Sequence, residues 1–148
     1  MTTSARRGDY AHAMAGDHRH LRTRLQQLQQ SLAGAGLSNC QAEQELRRLE
    51  RELDEHFADE ECGGFFAEIL AACPEFGHRV QRLVDQHREF REALRSLRRT
   101  CRLVCAESGA RAGWLAAFSD FERCFVDHER AEQKLLLDAT ERDLGAGD

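Results

Sequence analysis

The sequence contains almost no proline and no long apolar run. Pro74 is the only proline among 148 residues. Long uninterrupted helices are therefore permitted, because proline breaks a helix interior. No stretch approaches the roughly eighteen apolar residues that a membrane span needs, and no segment has the apolar centre of a signal peptide. We expect a cytoplasmic protein that does not interact with a membrane.

Cysteine is present, but in no recognised pattern. The six cysteines include no Cys-x-x-Cys pair, which excludes a zinc ribbon and a thioredoxin-type redox motif. A chain of this length can bury a sufficient core without disulfides. Cys101 and Cys124 fall on apolar helix stripes, so we predict that both are small buried hydrophobic residues.

Charge of one sign is not concentrated anywhere. The net charge is −5, and all basic residues except Lys134 are arginine. Arginine and glutamate are interleaved, as in residues 47–52, which is typical of a solvated helix face with i,i+4 ion pairs. Since no long basic run lacks nearby acids, we predict no nucleic-acid partner.

Turn signals divide the chain into four long segments. They are Gly34-Ala35-Gly36, Cys73-Pro74 and the glycines at 109 and 113. Gly63-Gly64 is a further interruption that should end the second helix and leave residues 65–72 as a short extra turn or helix. We predict a single domain over 1–148 with its core at about 8–143. The predicted helices cover about 8–33, 40–62, 76–107 and 112–142.

Within each segment the apolar residues recur every three or four positions. This period is typical of an amphipathic helix with one buried stripe. Alternation with a period of two is absent over any useful length, so strands are not expected. Four such helices joined by short loops predict an all-α fold, an antiparallel up-down-up-down four-helix bundle.

The stripes contain polar residues where a core should be apolar. Each of the four carries a histidine, and two carry a glutamate four positions later, which places both side chains on one helix face. Counting residues from the turns puts the four histidines at similar heights in the bundle. The six residues are His18, His56, Glu60, His87, His128 and Glu132.

These six residues predict a site for two metal ions. A lone histidine on an apolar stripe is more often a core residue with one hydrogen bond, but four on facing stripes are not independent accidents. Burying two charged glutamates without a compensating charge would cost roughly several kcal/mol each. Two divalent cations would supply that compensating charge. Imidazole and carboxylate together suit iron, manganese or zinc. We predict that His12, His20 and His78 are surface residues.

Taken together, these motifs resemble the hemerythrin family, and most closely its HHE cation-binding branch. The matching elements span about residues 17–137. They are Asp17-His18 followed by Leu21, His56-x-x-x-Glu60, His87-Arg88-Glu89-Phe90 and His128-x-x-x-Glu132. The resemblance implies a non-haem centre of two iron ions with an oxo or hydroxo bridge. It implies the four histidines as terminal ligands, and Glu60 and Glu132 as the bridging carboxylates.

The sequence departs from the oxygen carriers of that family at two positions. Leu83 stands where they have a second histidine on the third helix. Gln133 stands where they have an aspartate, and Glu132 takes its role. One iron therefore lacks a nitrogen ligand, and water, Asp59 or Glu61 are candidates for the missing position. Reversible oxygen carriage becomes a weaker expectation than sensing, iron handling or redox chemistry.

Three functions remain open from the sequence. The first is a non-enzymatic di-iron protein that binds or senses O2, another small diatomic ligand or peroxide, or that handles iron. The second is a di-iron enzyme that acts on nitric oxide or peroxide or repairs iron–sulfur clusters. The third is a zinc-bound or metal-free interaction module. The sequence does not indicate the oligomeric state.

Overall fold

The computed structural model describes residues 3–34, 38–104 and 108–145. They are almost entirely helical, and no strand occurs among them, as predicted. The predicted third and fourth long helices are named α4 and α5 below. The elements are α1 (Thr3–Ala33), α2 (Asn39–Cys62), α3 (Phe65–Ala72), a 3-10 turn (Pro74–Phe76), α4 (Gly77–Val104) and α5 (Ser108–Gly145).

Both ends of α2 have clear local causes. Ser38 caps its start: the Gln41 backbone N–H donates to Ser38 Oγ, and the Ser38 backbone N–H donates to the Gln41 side chain. This reciprocal pair is a capping box. At the other end Gly63 closes the last turn with a bond to the Asp59 carbonyl, and Gly64 follows at φ 106°. Glycine adopts this left-handed conformation without a side-chain penalty, so the chain leaves α2 here.

Residues 65–72, predicted to form a short extra turn or helix, form the helix α3. Its residues Phe65, Phe66 and Ile69 are buried, and Phe76 of the following 3-10 turn is buried beside them. Pro74 stands at the start of that turn, where its missing N–H costs little. This segment contacts α2, α4 and α5, so it packs over one end of the bundle.

The four long helices contact one another in a ring. α1 and α4 each lie beside both α2 and α5. Gln29 donates to Ser119 at 2.6 Å, and Arg22 pairs with Glu129 at 3.0 Å. An earlier position on α1 therefore meets a later one on α5, which is compatible with the predicted up-down-up-down arrangement.

The start of α5 differs from the sequence expectation. It begins at Ser108, earlier than about 112, and Gly109 and Gly113 lie inside it at exposed positions. Glycine in an exposed helix interior costs only about 1 kcal/mol, so these two residues do not end the helix. Residues 35–37, in the first predicted turn, and residues 105–107, at the end of the predicted third helix, lie outside the described residues.

Two apolar clusters form the core. The larger, here called the main cluster, contains Leu21, Leu25, Leu28, Leu32, Ala42, Leu46, Leu49, Leu53, Phe57, Phe90, Leu94, Leu97, Cys101, Trp114, Phe118, Phe121 and Phe125. The smaller, the cap cluster, contains Met14, Phe65, Phe66, Ile69, Cys73, Phe76, Val80, Leu83, Leu135 and Ala139. The six polar stripe residues lie between the two clusters along the helices.

Of the two cysteines predicted to be buried, one is buried and the other is exposed. Cys101 is buried as predicted, but Cys124 is exposed and that prediction was wrong. Phe121, Phe125 and His128 fill the inward positions of that part of α5. Cys124 is about 100° around the helix from Phe125, and therefore faces solvent. No disulfide joins any two of the five cysteines whose side chains are described.

Among the described residues, none of the helices combines the length and the apolar character that crossing a bilayer requires.

Candidate metal centre

The structure brings the six residues of the polar stripes into one layer. Each is almost completely buried, and together they separate the main cluster from the cap cluster. On α1, for example, Met14 belongs to the cap cluster and Leu21 to the main cluster, with His18 between them. The exposed fractions are His18 0%, His56 6%, Glu60 4%, His87 0%, His128 2% and Glu132 0%.

The four histidines approach the layer with the same ring nitrogen. His87 Nε2 lies 3.1 Å from His128 Nε2. His56 Nε2 lies 2.6 Å from a Glu60 oxygen, and His18 Nε2 lies 3.0 Å from a Glu132 oxygen. All four Nε2 atoms are therefore available on the inner side, as a shared metal centre requires.

The two glutamates each divide their oxygens between two pairs of histidines. Glu60 places Oε1 2.6 Å from His56 Nε2 and Oε2 3.0 Å from His87 Nε2. Glu132 places Oε1 2.7 Å from His128 Nε2 and Oε2 3.0 Å from His18 Nε2. Each carboxylate therefore presents one oxygen to a histidine of α1 or α2 and the other to a histidine of α4 or α5.

The donor atoms accordingly form two groups, within each of which they lie no more than 4.8 Å apart. We call the group of His18 and His56 with the two glutamates the α1–α2 half. The group of His87 and His128 with the same glutamates is the α4–α5 half. Each half offers two imidazole nitrogens and two carboxylate oxygens.

Unsatisfied buried atoms indicate that this donor set fits metal ions. Both Glu60 oxygens, Glu132 Oε2, His56 Nε2 and both His18 nitrogens are buried without a partner in hydrogen-bond geometry. Leaving such atoms unsatisfied costs about 1–3 kcal/mol each. Divalent ions would satisfy them together, and nitrogen and oxygen donors of this kind suit iron, manganese or zinc.

The protein's own charges make the layer a place where protons and metal ions compete. Burial disfavours the charged form of His18 and of His87, but the adjacent Glu132 and Glu60 carboxylates outweigh it and raise each pKa to about 9. Burial would raise the pKa of Glu132, yet the surrounding histidines hold it well below its usual range. A protonated histidine must lose the proton on the nitrogen that binds the metal, so metal binding at His18 and His87 would displace protons here.

The α4–α5 half is held from outside by further side chains. His87 Nδ1 lies 2.7 Å from Glu61 Oε1, and His128 Nδ1 lies 2.7 Å from Gln86 Oε1. A carboxylate oxygen and an amide oxygen only accept, so each Nδ1–H donates outward and each Nε2 faces the inner side of the layer. The Phe57 ring also stacks on His87 at 4.0 Å.

The α1–α2 half has weaker support and is closer to solvent. His56 Nδ1 is 3.8 Å from Asp17 Oδ2, beyond hydrogen-bond length, and Asp17 is exposed. A cavity between α1 and α2 is lined by His56, Glu60 and Asp59, among others. The α1–α2 half is therefore the part of the centre that borders this cavity.

The candidates for an additional ligand lie apart from the six donors. Glu61 and Asp59 belong to neither group. Glu61 instead accepts from the outer nitrogen of His87, and Asp59 lines the cavity. Leu83, which stands where the oxygen carriers have a histidine, is buried in the cap cluster. His12, His20 and His78 are exposed, as predicted.

Sequence reasoning missed one buried ion pair beside the centre. Glu129 is 2% exposed, and Arg22 Nε lies 3.0 Å from its Oε2. Burial raises the pKa of Glu129 to about 7, although the charges of His18 and Arg22 oppose that shift. Glu129 precedes Glu132 by three positions, which puts it toward the same face of α5, and this spacing was the available signal. No comparable spacing marks Gln86.

Comparison with known proteins gives one clear relationship. A family model, the hemerythrin HHE cation-binding domain, matches residues 9–140. No match was found among curated proteins or among solved structures. The match covers nearly the whole chain and includes all six residues of the centre, so the chain belongs to the hemerythrin HHE cation-binding domain family.

Proposed function

We propose that this protein binds two iron ions and uses them to bind or sense O2 or a related small ligand, or to handle iron. The observation that carries the proposal is the division of the Glu60 and Glu132 oxygens. Each carboxylate presents one oxygen to the α1–α2 half and one to the α4–α5 half. A single metal ion would not need two such halves.

The side chains have separate tasks in this proposal. His18 and His56 would hold one ion, His87 and His128 the other, and the two glutamates would hold both. A pair of iron ions supplies reversible redox chemistry toward O2, nitric oxide or peroxide. The apolar clusters shield the layer from water at its two ends along the helices, and Glu61 and Gln86 fix two imidazoles with Nε2 inward.

Metal content and stoichiometry test the proposal directly. The full chain, stripped of metal and reconstituted anaerobically with Fe²⁺, should retain two iron ions per chain after desalting, measured by mass spectrometry of the metals. Protein freshly isolated without added metal should contain iron. Failure to retain iron, or full occupancy by zinc alone in isolated protein, would overturn the proposal and would favour the interaction module.

A di-iron enzyme is the second candidate, and the position of Leu83 favours it over oxygen carriage. Leu83 is packed in the cap cluster, so α4 supplies one nitrogen ligand where the carriers supply two. Fewer protein ligands leave more positions on the metal ions for a reacting molecule.

Optical spectra during O2 exposure distinguish the candidates: a stable and reversible absorption change supports binding or sensing. Rapid irreversible oxidation with turnover of peroxide or nitric oxide supports an enzyme. Repair of an iron–sulfur cluster is tested separately, by an assay of cluster repair.

A cytoplasmic location remains a prediction.

A further inference from the structure

The cavity beside the α1–α2 half connects the protein surface with the centre. It is open to solvent on one side and has a volume of about 230 Å³. Its lining consists of Ala13, Met14, Asp17, His56, Asp59, Glu60, Gly63 and Phe65. Met14 and Phe65 form an apolar wall. Asp17 and Asp59 are exposed, whereas His56 and Glu60 are buried, so the cavity runs from two exposed acids to two buried donors of the centre.

The buried donors at its inner end point to a cationic ligand. Glu60 is 4% exposed, and neither of its oxygens has a partner in hydrogen-bond geometry, although His56 Nε2 and His87 Nε2 lie 2.6 Å and 3.0 Å from them. His56 Nε2 is likewise buried without one. Asp17 and Asp59 at the mouth thus lead to buried atoms that can bind a metal ion. This distinguishes the cavity from an ordinary cluster of surface carboxylates.

We propose that this cavity is the route by which divalent cations reach the centre, with Asp17 and Asp59 as the acids that attract them. The inference rests on the proposed two-metal centre and specifies how it is filled. Each water occupies about 30 Å³, so the cavity can accommodate an ion with part of its hydration shell. Glu60 and His56 would be the first residues of the centre that an incoming ion meets, so the α1–α2 half would be the half that exchanges its ion with solvent.

The sign of the charge separates this cavity from other depressions in the surface. Within the described residues, its lining includes no arginine or lysine. A larger groove along α2 has two acids in its lining, Glu50 and Asp54, but four arginines outnumber them. Such a surface is less favourable to cations. The arginines are Arg47, Arg48, Arg51 and Arg98. The cavity therefore combines an acidic mouth with side chains at its inner end that can bind a metal ion.

The rate of metal uptake tests the route without any assay of activity. Co²⁺ alone is the probe, because its binding to the metal-free full chain is followed by visible absorption in a stopped-flow instrument. The test variant is Asp17→Asn with Asp59→Asn. Its matched control is Asp120→Asn with Asp127→Asn, which removes the same charge from α5 residues that are 64% and 66% exposed.

We expect uptake by the test variant to be about five- to tenfold slower than by the control at low ionic strength, because steering by surface charge changes association rates by this order or more. The difference should shrink in about 0.5 M salt, where screening is strong. Both variants should still bind two Co²⁺ per chain at equilibrium. Equal uptake rates at low ionic strength would overturn the route.

Two other outcomes are distinguishable. Loss of a Co²⁺ at equilibrium in the test variant would make Asp17 or Asp59 a ligand and would also overturn the route as stated. A wild-type chain that binds fewer than two Co²⁺ would overturn the two-metal centre itself. A second variant, Ala13→Phe, fills the exposed side of the cavity without changing charge. It should slow uptake at every salt concentration, and an unchanged rate would count against the cavity.

Discussion

The two halves of the centre use the same kinds of donor atom but are held in different ways. In the α4–α5 half, both outer nitrogens have close acceptors, Glu61 and Gln86, at 2.7 Å. Glu61 is itself 3.5 Å from Arg91, which donates to Asp54 at 3.0 Å and lies over the Phe57 ring. Ring orientation in this half is therefore fixed by a network that joins α2 and α4.

In the α1–α2 half, neither outer nitrogen has such a partner. His18 Nδ1 is buried without a hydrogen bond, and His56 Nδ1 is 3.8 Å from the exposed Asp17. The cavity borders this half. Outer hydrogen bonds typically change metal affinity by about 10–100-fold. The comparison therefore predicts a tightly held ion in the α4–α5 half and an exchangeable ion in the α1–α2 half.

The largest expected effect comes from removing a bridge, because Glu60 and Glu132 belong to both halves. Glu132→Ala should abolish binding of at least one of the two ions, and Glu60→Ala should do the same. Metal stoichiometry after reconstitution and desalting measures the loss. The exposed Glu55→Ala on α2 is the control and should retain two ions. Two bound ions in both bridge variants would contradict the shared role of the carboxylates.

Removing one histidine from each half tests the order of affinity. His56→Ala should leave one ion in the α4–α5 half, and His87→Ala should leave one ion in the α1–α2 half. We expect the ion in His87→Ala to dissociate more than about tenfold faster, because the remaining histidines lack outer acceptors. Release of Co²⁺ to excess chelator, followed by absorption, gives both rates. Equal rates, or the reverse order, would refute the proposed asymmetry, provided that circular dichroism shows both variants folded.

The sequence predicts the inner part of this centre better than its surroundings. Periodicity places His18, His56, His87 and His128 on inward stripes, and the structure brings them together. The interval of four residues does the same for the two glutamates. These relations lie within single helices, where 3.6 residues per turn fix the direction of each side chain.

The surroundings depend on how two helices pack, which no interval within one helix specifies. The sequence offered Glu61 as a ligand, whereas the packing of α2 against α4 places it on the outer nitrogen of His87. Gln86 meets His128 across the contact of α4 with α5. Helix ends were predicted where a glycine pair changes the backbone, as at Gly63-Gly64. They were misplaced in α5, where exposed glycines remain helical.

The outer acceptors can be tested one half at a time. Glu61→Ala should lower the affinity of the α4–α5 half for its ion by about 10–100-fold. Glu61→Gln should lose less, because its amide oxygen still accepts from His87. Asp17→Ala should change equilibrium affinity by less than about threefold, since 3.8 Å is too long for a hydrogen bond. Competitive titration with a chromophoric chelator measures all three. A larger loss of affinity in Asp17→Ala than in Glu61→Ala would contradict the conclusion that the α4–α5 half has the stronger outer support.

The smallest effect concerns the Arg22–Glu129 pair, which joins α1 to α5 beside His18. Glu129 is buried, and Arg22 is 43% exposed. Arg22→Gln should lower the free energy of unfolding of the metal-free chain by about 1–3 kcal/mol, because a buried carboxylate loses its cation. Urea denaturation measures it. Arg130→Gln, which removes an exposed i,i+3 partner of Asp127, should change stability by less than about 0.5 kcal/mol. If the two variants behave alike, the Arg22–Glu129 pair does not stabilise the packing of α1 on α5, and the stability of this part of the metal-free chain comes from apolar packing.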